Sequence, residues 1–413
     1  MDLLWPGDER AGDLFSDGAF VAAMVQVEDA WLAAIADAGI APGGARAPLG
    51  GLVGEADVDD LARGAEAGGN PVIGLVALLR QRVGGEASTW VHRGLTSQDV
   101  LDTALVLCLG DVLERIDDEL GRQAAALVRL ARRHRGTVMA GRTLTQHAVP
   151  TTFGLKAAGW LSGLTHAVEG VRRSRTSLPA QLGGAAGTLA AVVELARLRG
   201  LADPVSAARS AASAAAEDLE LVACAPWHTD RSHLTGAADA LVGCSDAWGH
   251  VAGDVALLAR PEFGELAEPT VEGRGGSSTM PQKSNPVLSL LVRRHALAAP
   301  PLAASLHTAA AAYVDERPDG AWHTEWATLR TLARRSVVAA SQTTELLQGL
   351  QVDADRMRTT AEAAGEALHA EQAGLAKLVG GAAVPPDDDY LGANDALIDD
   401  AISRASARWK ELL

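Results

Sequence analysis

An all-α fold of long helices is predicted by three features of this 413-residue sequence. Apolar residues recur at helical spacing over stretches well beyond the ~11–12 residues of an average globular helix. Hydrophobic residues make up 48% of the chain but aromatics only 4%, so Ala, Leu and Val must fill the core, which suits closely packed helices. No period-two strand pattern and no dinucleotide-binding glycine fingerprint competes. Helices this long favour a many-helix bundle over a compact α/β unit.

Residues 16–39 form the first helix, with Ser16 or Asp17 as N-cap and Phe20, Met24, Val27, Trp31 and Ile35 in one stripe. A Gly/Pro-rich connection over 39–51 follows, then a helical pattern near Asp57 to Ala67, and Asn70-Pro71 opens another that reaches Val83. With Trp90 to Asp102 these make an N-terminal helical domain, residues 1–102. A central domain, 103–350, opens on a long helix to about His134 (Leu107, Val112, Leu113, Ile116, Leu120, Leu127, Leu130). Further helices are expected over 153–175, 204–222, 228–260, 286–313 and 321–350, with a kink at Pro300-Pro301. Ala207 to Ala216 is small or apolar nearly all round, which calls for burial on more than one face; other copies of the chain would supply it. Residues 351–413 form a small third domain: a helix opened by Asp353 and running to about Leu378, a Gly/Pro/Asp-rich break at 380–389, and a short last helix.

The formal charge of −16 argues against nucleic-acid or anionic-membrane partners, while leaving a small anionic substrate open. Cys108, Cys224 and Cys244 are few and widely spaced, and read as buried small residues in a reducing compartment. Asp2, Asp8 and Glu9 stand where a secretory signal would be basic, and no uninterrupted apolar run is long enough for a bilayer, so a cytoplasmic location is expected. No His/Asp/Glu cluster has metal-binding spacing, and no metal or cofactor is expected.

One polar loop interrupts the helices. Residues 273–286 place three glycines, Ser277, Ser278, Lys283 and Asn285 around Pro281 and Pro286. A serine acts as a base only where backbone N–H groups and a cation stabilise its oxyanion, and the glycine amides and Lys283 are groups of that kind. Asn285 can donate to a carboxylate, and Pro286 suits the start of the next helix. Such a loop would stabilise an enolate-like dianion. The spacing of a phosphate-binding P-loop is missing.

The run Gly276-Ser-Ser-Thr-Met-Pro-Gln-Lys-Ser-Asn-Pro286 resembles the signature of the fumarase/aspartase superfamily. Val91-His92-Arg93-Gly94-Leu95-Thr96-Ser97-Gln98-Asp99-Val100 and Gly141-Arg142-Thr143-Leu144-Thr145-Gln146-His147-Ala148-Val149-Pro150 are similar to two further stretches of that family. Gly183 to Thr188 and Val314 to His323 resemble its bacterial 3-carboxy-cis,cis-muconate cycloisomerase branch, and the likeness runs from about residue 10 to about residue 375. The resemblance implies a homotetramer with a central helical bundle, each active site lined by three subunits, and a di- or tricarboxylate substrate. It assigns Ser278 to the proton on the substrate α-carbon, with Ser277 beside it in the oxyanion site. It makes His147 the leading proton donor, and Thr96, Ser97, Thr143, Gln146, Lys283, Asn285 and Arg317 carboxylate holders. Taken alone, Thr96 and Ser97 would be helix caps, Arg317 a surface ion pair, and His92 either a core histidine or a substrate contact. Arg142, His228, His233, His250 and His323 read as structural.

Two departures from the wider family inform the chemistry. Many relatives carry histidine where this chain has Leu144, and glutamate where it reads Val287-Leu-Ser-Leu290. The resemblance assigns those two residues to a dyad that protonates a departing amine or hydroxide. A carboxylate or nitrite leaves as the anion without such help, because its conjugate acid is far stronger. The missing dyad therefore points to a carboxylate-type nucleophile or leaving group. The resemblance to the cycloisomerase branch implies the reversible addition of a substrate carboxylate across a C=C bond, forming 4-carboxymuconolactone in aromatic (protocatechuate) catabolism. The alternative is a β-eliminating lyase on another succinate-like substrate, releasing nitrite, or less readily an adenylosuccinate lyase. Gln282, Ser284, Arg93 and Leu95 depart from common cycloisomerase choices and leave the substrate open.

Overall fold

The computed structural model describes residues 2–276, 279–280, 283–380 and 389–410. Its elements are α1 (Asp17–Asp37), α2 (Val58–Gly68), α3 (Val72–Val83), α4 (Ala87–Trp90), α5 (Ser97–Arg133), β1 (Val138–Thr143), β2 (Gln146–Thr152), α6 (Phe153–Thr176), α7 (Ala190–Leu198), α8 (Pro204–Asp218), α9 (Ser232–Leu258), β3 (Leu266–Ala267), α10 (Val287–Ala311), α11 (Gly320–Gln348), β4 (Gln351–Val352), α12 (Ala354–Ala364), α13 (Ala370–Leu378) and α14 (Asn394–Arg408). The fold is mostly helical, as the periodicity predicts. Ser16 caps α1 by accepting from the Ala19 N–H at 3.1 Å, and Asp353 caps α12 by accepting from Arg356 at 2.8 Å. One continuous helix, α10, runs through Pro300 and Pro301.

The chain divides into two compact units, 1–115 with 171–241 and 300–337, and 116–170 with 242–299 and 338–413. Helices α5, α6, α9, α10 and α11 each contribute residues to both. In the first unit, α1 buries Met24, Trp31 and Ile35 completely. By length and composition alone α1 is long and apolar enough to cross a membrane, although Gln26, Glu28 and Asp29 interrupt its apolar run. Its apolar stripe is instead spent on the core of this unit, and its one fully buried acid, Glu28, has a partner.

The same unit holds a buried ion cluster. The Arg231 guanidinium, 0% exposed, donates to Asp102 Oδ2 at 2.7 Å and to Glu325 Oε2 at 2.7 Å. Asp102 also accepts from the Trp322 indole at 2.8 Å and from Gln98 at 3.0 Å. The Trp227 and Tyr313 rings flank the guanidinium. Burial opposes its charge, but the two carboxylates more than offset that and keep it protonated.

The second unit is centred on Gln123, whose amide donates to the Ala340 carbonyl at 2.9 Å and accepts from the Trp248 indole at 2.9 Å. Here the fold departs from the sequence reading, since β1 and β2 form an antiparallel hairpin. Its two-residue turn is Leu144-Thr145, with φ of 48° and 71°. Both values belong to a type I′ turn, but this pair lacks the Asn-Gly signature, so the hairpin is invisible to turn chemistry. Left-handed φ costs a branched residue ~1–2 kcal/mol. Substituting Asn-Gly for Leu144-Thr145 is expected to raise the melting temperature by a few degrees; an unchanged or lower midpoint in a thermal melt would show that the turn is not strained. Other corrections are local. Helix α5 starts at Ser97, α8 stops at Asp218, Cys224 is exposed, and His228 lies in the connection before α9.

Candidate active site

The expected site residues fall into two sets, one in each unit. In the first, Thr96 immediately precedes α5, and its backbone N–H donates to Asp99 Oδ2 at 2.9 Å. The buried Asp99 also accepts from the Gly183 N–H, the Gly184 N–H and the Gln181 amide, each at 2.9 Å. One carboxylate thus ties the start of α5 to the Gly183–Thr188 turn. The closeness of that joint explains its glycines: at Gly184, with φ +71°, a Cβ would lie 3.0 Å from the Gly94 carbonyl oxygen. Capping here is done by Asp99, so the Thr96 and Ser97 hydroxyls carry no hydrogen bond among the described residues. His228, buried within 3.0 Å of the Gln181 amide, belongs to this scaffold, in line with its structural reading. Arg317 is half-buried between α10 and α11 and forms no ion pair among the described residues, so the surface salt bridge does not account for it.

His92 has a partner that sequence reasoning missed. Its Nδ1 lies 2.6 Å from Glu28 Oε1. The two residues are 64 positions apart, and Glu28 sits between the core positions Val27 and Trp31, so no local pattern announces the pair.

In the second unit, Thr143 and Gln146 face each other at the closed end of the β1–β2 hairpin, and His147 pairs with Arg142 in the ladder. Thr143, Gln146 and His147 are all exposed, and Leu144 at the tip is 95% exposed. Arg142 turns away and forms a two-pronged ion pair with the buried Glu265 at 2.5 and 3.0 Å, so it is structural.

The glycine-rich loop is closed at its base by Asn285, whose backbone and side-chain N–H groups both donate to the Gly275 carbonyl, at 2.8 and 3.0 Å. Gly275 has φ +74°, and a Cβ there would come within 2.6 Å of the Asn285 carbonyl oxygen, so only glycine fits. Lys283 is exposed. Ser277 and Ser278, with Pro281 and Gln282, lie outside the described residues. The first amides of α10 are already taken: Leu288 and Ser289 donate to the Glu268 carboxylate at 3.0 and 2.7 Å. A substrate anion must therefore be held by side chains and loop amides, not by this helix terminus. The cavity at the loop base, lined by Glu268, Arg274 and Asn285 among others, is about 180 Å³. Ligand pockets usually exceed ~300 Å³, so this cavity alone is small for a tricarboxylate.

Comparison with known proteins decides the family. Residues 62–299 match a protein family described as Lyase. A 3-carboxy-cis,cis-muconate cycloisomerase from Bradyrhizobium diazoefficiens is 39% identical over 398 residues, covering 94% of this chain and 83% of that protein. The chain belongs to the fumarase/aspartase superfamily. A nitrosuccinate lyase from Streptomyces davaonensis is 47% identical over 364 residues, 86% of this chain and 76% of that protein. The crystal structure of the 3-carboxy-cis,cis-muconate lactonizing enzyme from Pseudomonas putida superposes with a TM-score of 0.78 at 34% identity, over 97% of this chain and 86% of that one. As a member of the fumarase/aspartase superfamily the chain is an enzyme, and the expected family and the mostly helical fold both stand.

Proposed function

We propose that this enzyme makes or breaks a bond β to a substrate carboxylate, with an anionic group that departs or adds without prior protonation. The observation that carries this reading is Leu144: an aliphatic side chain stands at the tip of the β1–β2 hairpin, between Thr143 and Gln146, and has no proton to give a leaving group. In the proposed mechanism Ser278, activated by loop amides and Lys283, removes or returns the proton on the carbon next to a carboxylate. Ser277 and the loop amides hold the resulting dianion. Thr96, Ser97, Thr143, Gln146, Asn285 and Arg317 bind carboxylates, His92 contacts substrate, and His147 assists proton transfer. The two sets of residues meet when subunits of a cytoplasmic homotetramer pool them. Within each subunit the proposed domains are 1–102, 103–350 and 351–413.

For the substrate, the leading reading is 3-carboxy-cis,cis-muconate, cyclised to 4-carboxymuconolactone. It is supported by the cycloisomerase relative that covers 94% of this chain and by the lactonizing enzyme that superposes on 97% of it. A second reading, elimination of nitrite from nitrosuccinate, is supported by the 47% identity to a nitrosuccinate lyase and by Gln282 and Ser284. Both leaving groups are weak bases, so Leu144 is compatible with either.

One experiment separates them. Purified enzyme is given each compound in parallel, with loss of muconate absorbance and release of nitrite as readouts. The expected result is muconate turnover at a kcat/KM at least tenfold above any nitrite release. The reverse ratio moves the assignment to nitrosuccinate, and turnover of neither by intact protein rejects both.

A further inference from the structure

The loop that carries His92 is held in a costly conformation by groups that converge on it from two helices. His92 has φ +65°, in the left-handed region that non-glycine residues seldom occupy. The carbonyl before it, on Val91, accepts from the Arg80 guanidinium of α3 at 2.9 and 3.3 Å. The carbonyl after it, on Arg93, accepts from the Trp31 indole N–H of α1 at 2.7 Å. Gly94, with φ +88°, completes the turn, and a Cβ there would lie 2.3 Å from a Val192 methyl. With the backbone fixed on both sides, the imidazole is aimed by one further contact, Nδ1 to Glu28 Oε1 at 2.6 Å.

That contact is asymmetric in burial. The Glu28 side chain is 0% exposed and the His92 side chain 18% exposed. Glu28 Oε2 is buried without a hydrogen-bond partner, so the carboxylate has His92 as its sole polar contact among the described residues. Burying a carboxylate with a single polar partner costs stability, because the second oxygen loses its water without gaining a hydrogen bond. Nδ1 being engaged, Nε2 is the ring nitrogen left for other chemistry, and it is the one on the side away from the carboxylate.

We propose that Glu28 is a positioning residue for the reaction: it fixes the tautomer and direction of His92 so that Nε2 faces the substrate. A proton sits between Nδ1 and Oε1, and Nε2 exchanges a hydrogen bond with the substrate. The Thr96 and Ser97 hydroxyls lie a few residues beyond, where this loop enters α5. This inference rests on the reaction class proposed above.

The test uses the intact enzyme and the near-isosteric Glu28→Gln. In spectra of histidine-15N-labelled protein without substrate, the wild type is expected to show a strongly downfield Nδ1 proton, assigned by its loss in His92→Gln. Glu28→Gln is expected to move it upfield. With whichever substrate turns over, Glu28→Gln should lower kcat/KM ~10–100-fold, the range found where a residue that orients a metal-bound imidazole is lost. The double variant Glu28→Gln/His92→Gln should be no worse than His92→Gln alone. The proposal is overturned if Glu28→Gln only lowers the melting temperature and leaves kcat/KM intact, if the two losses multiply, or if no downfield proton is present. Should Glu28→Gln fail to fold, Glu28→Asp carries the same readouts. Because the proton signal needs no substrate, a wrong substrate assignment and a wrong role for Glu28 fail separately.

Discussion

Ser278→Ala is expected to lower kcat by ~10³-fold or more while leaving KM and the thermal midpoint near wild type. The size follows from the role. Forming a carbanion next to a carboxylate produces a dianion, and in the proposed mechanism Ser278 is the base that takes the proton. Ser277→Ala, which removes an oxyanion-site donor, should cost less, ~10²-fold. Lys283→Ala should raise KM as well as lower kcat, because in the proposed mechanism its charge serves both the bound carboxylate and the developing one. Steady-state kinetics separate the three. If Ser278→Ala kept turnover within a few-fold of wild type, the glycine-rich loop would be a linker and the mechanism would need another base.

The second large effect is on stability. Arg231→Met leaves Asp102 and Glu325 facing each other in the interior of the first unit with no cation between them. Breaking a buried ion pair by removing one member costs ~3–5 kcal/mol, because the remaining charge stays buried. The expected result is a lower urea midpoint with an unchanged slope. Burial already raises Glu325 above the ordinary carboxyl range, against the pull of Arg231. A raised carboxyl holds its proton in the folded state at a pH where the unfolded chain has released it, so unfolding releases a proton. Stability therefore falls as pH rises from the ordinary carboxyl range through the raised value. In Arg231→Met this loss should extend further toward neutral pH. An unfolding free energy within about 1 kcal/mol of wild type at neutral pH would show that the cluster is not what holds this unit together.

The long helices are legible because each carries its own local statement: a cap at Ser16 or Asp353, a stripe from Phe20 to Ile35, a proline at the start of α8. The hairpin is not, because its turn uses two residues that normally avoid left-handed φ and neither strand carries a period-two apolar pattern. The chemistry divides in the same way. The glycines, Lys283 and Asn285 lie in one stretch and can be read together. Glu28 meets His92 across 64 residues, and Asp102 meets Arg231 across 129, so only the fold brings them into contact. Thr96 shows a third case: its type suits a cap, but Asp99 does the capping and leaves the hydroxyl for other work.

The account depends on one spatial claim, that separate copies of the chain bring the glycine-rich loop to the Thr96 and Gln146 hydroxyl and amide donors. A crystal structure of the assembled oligomer with a bound tricarboxylate measures this directly. The account predicts ligand carboxylates in hydrogen-bond contact with Thr96, Ser97, Gln146, Lys283 and Asn285, with Ser278 nearest the carbon that loses its proton. A ligand seated elsewhere, or Ser278 and Lys283 remote from Thr96 and Gln146 in every subunit pairing, would contradict it.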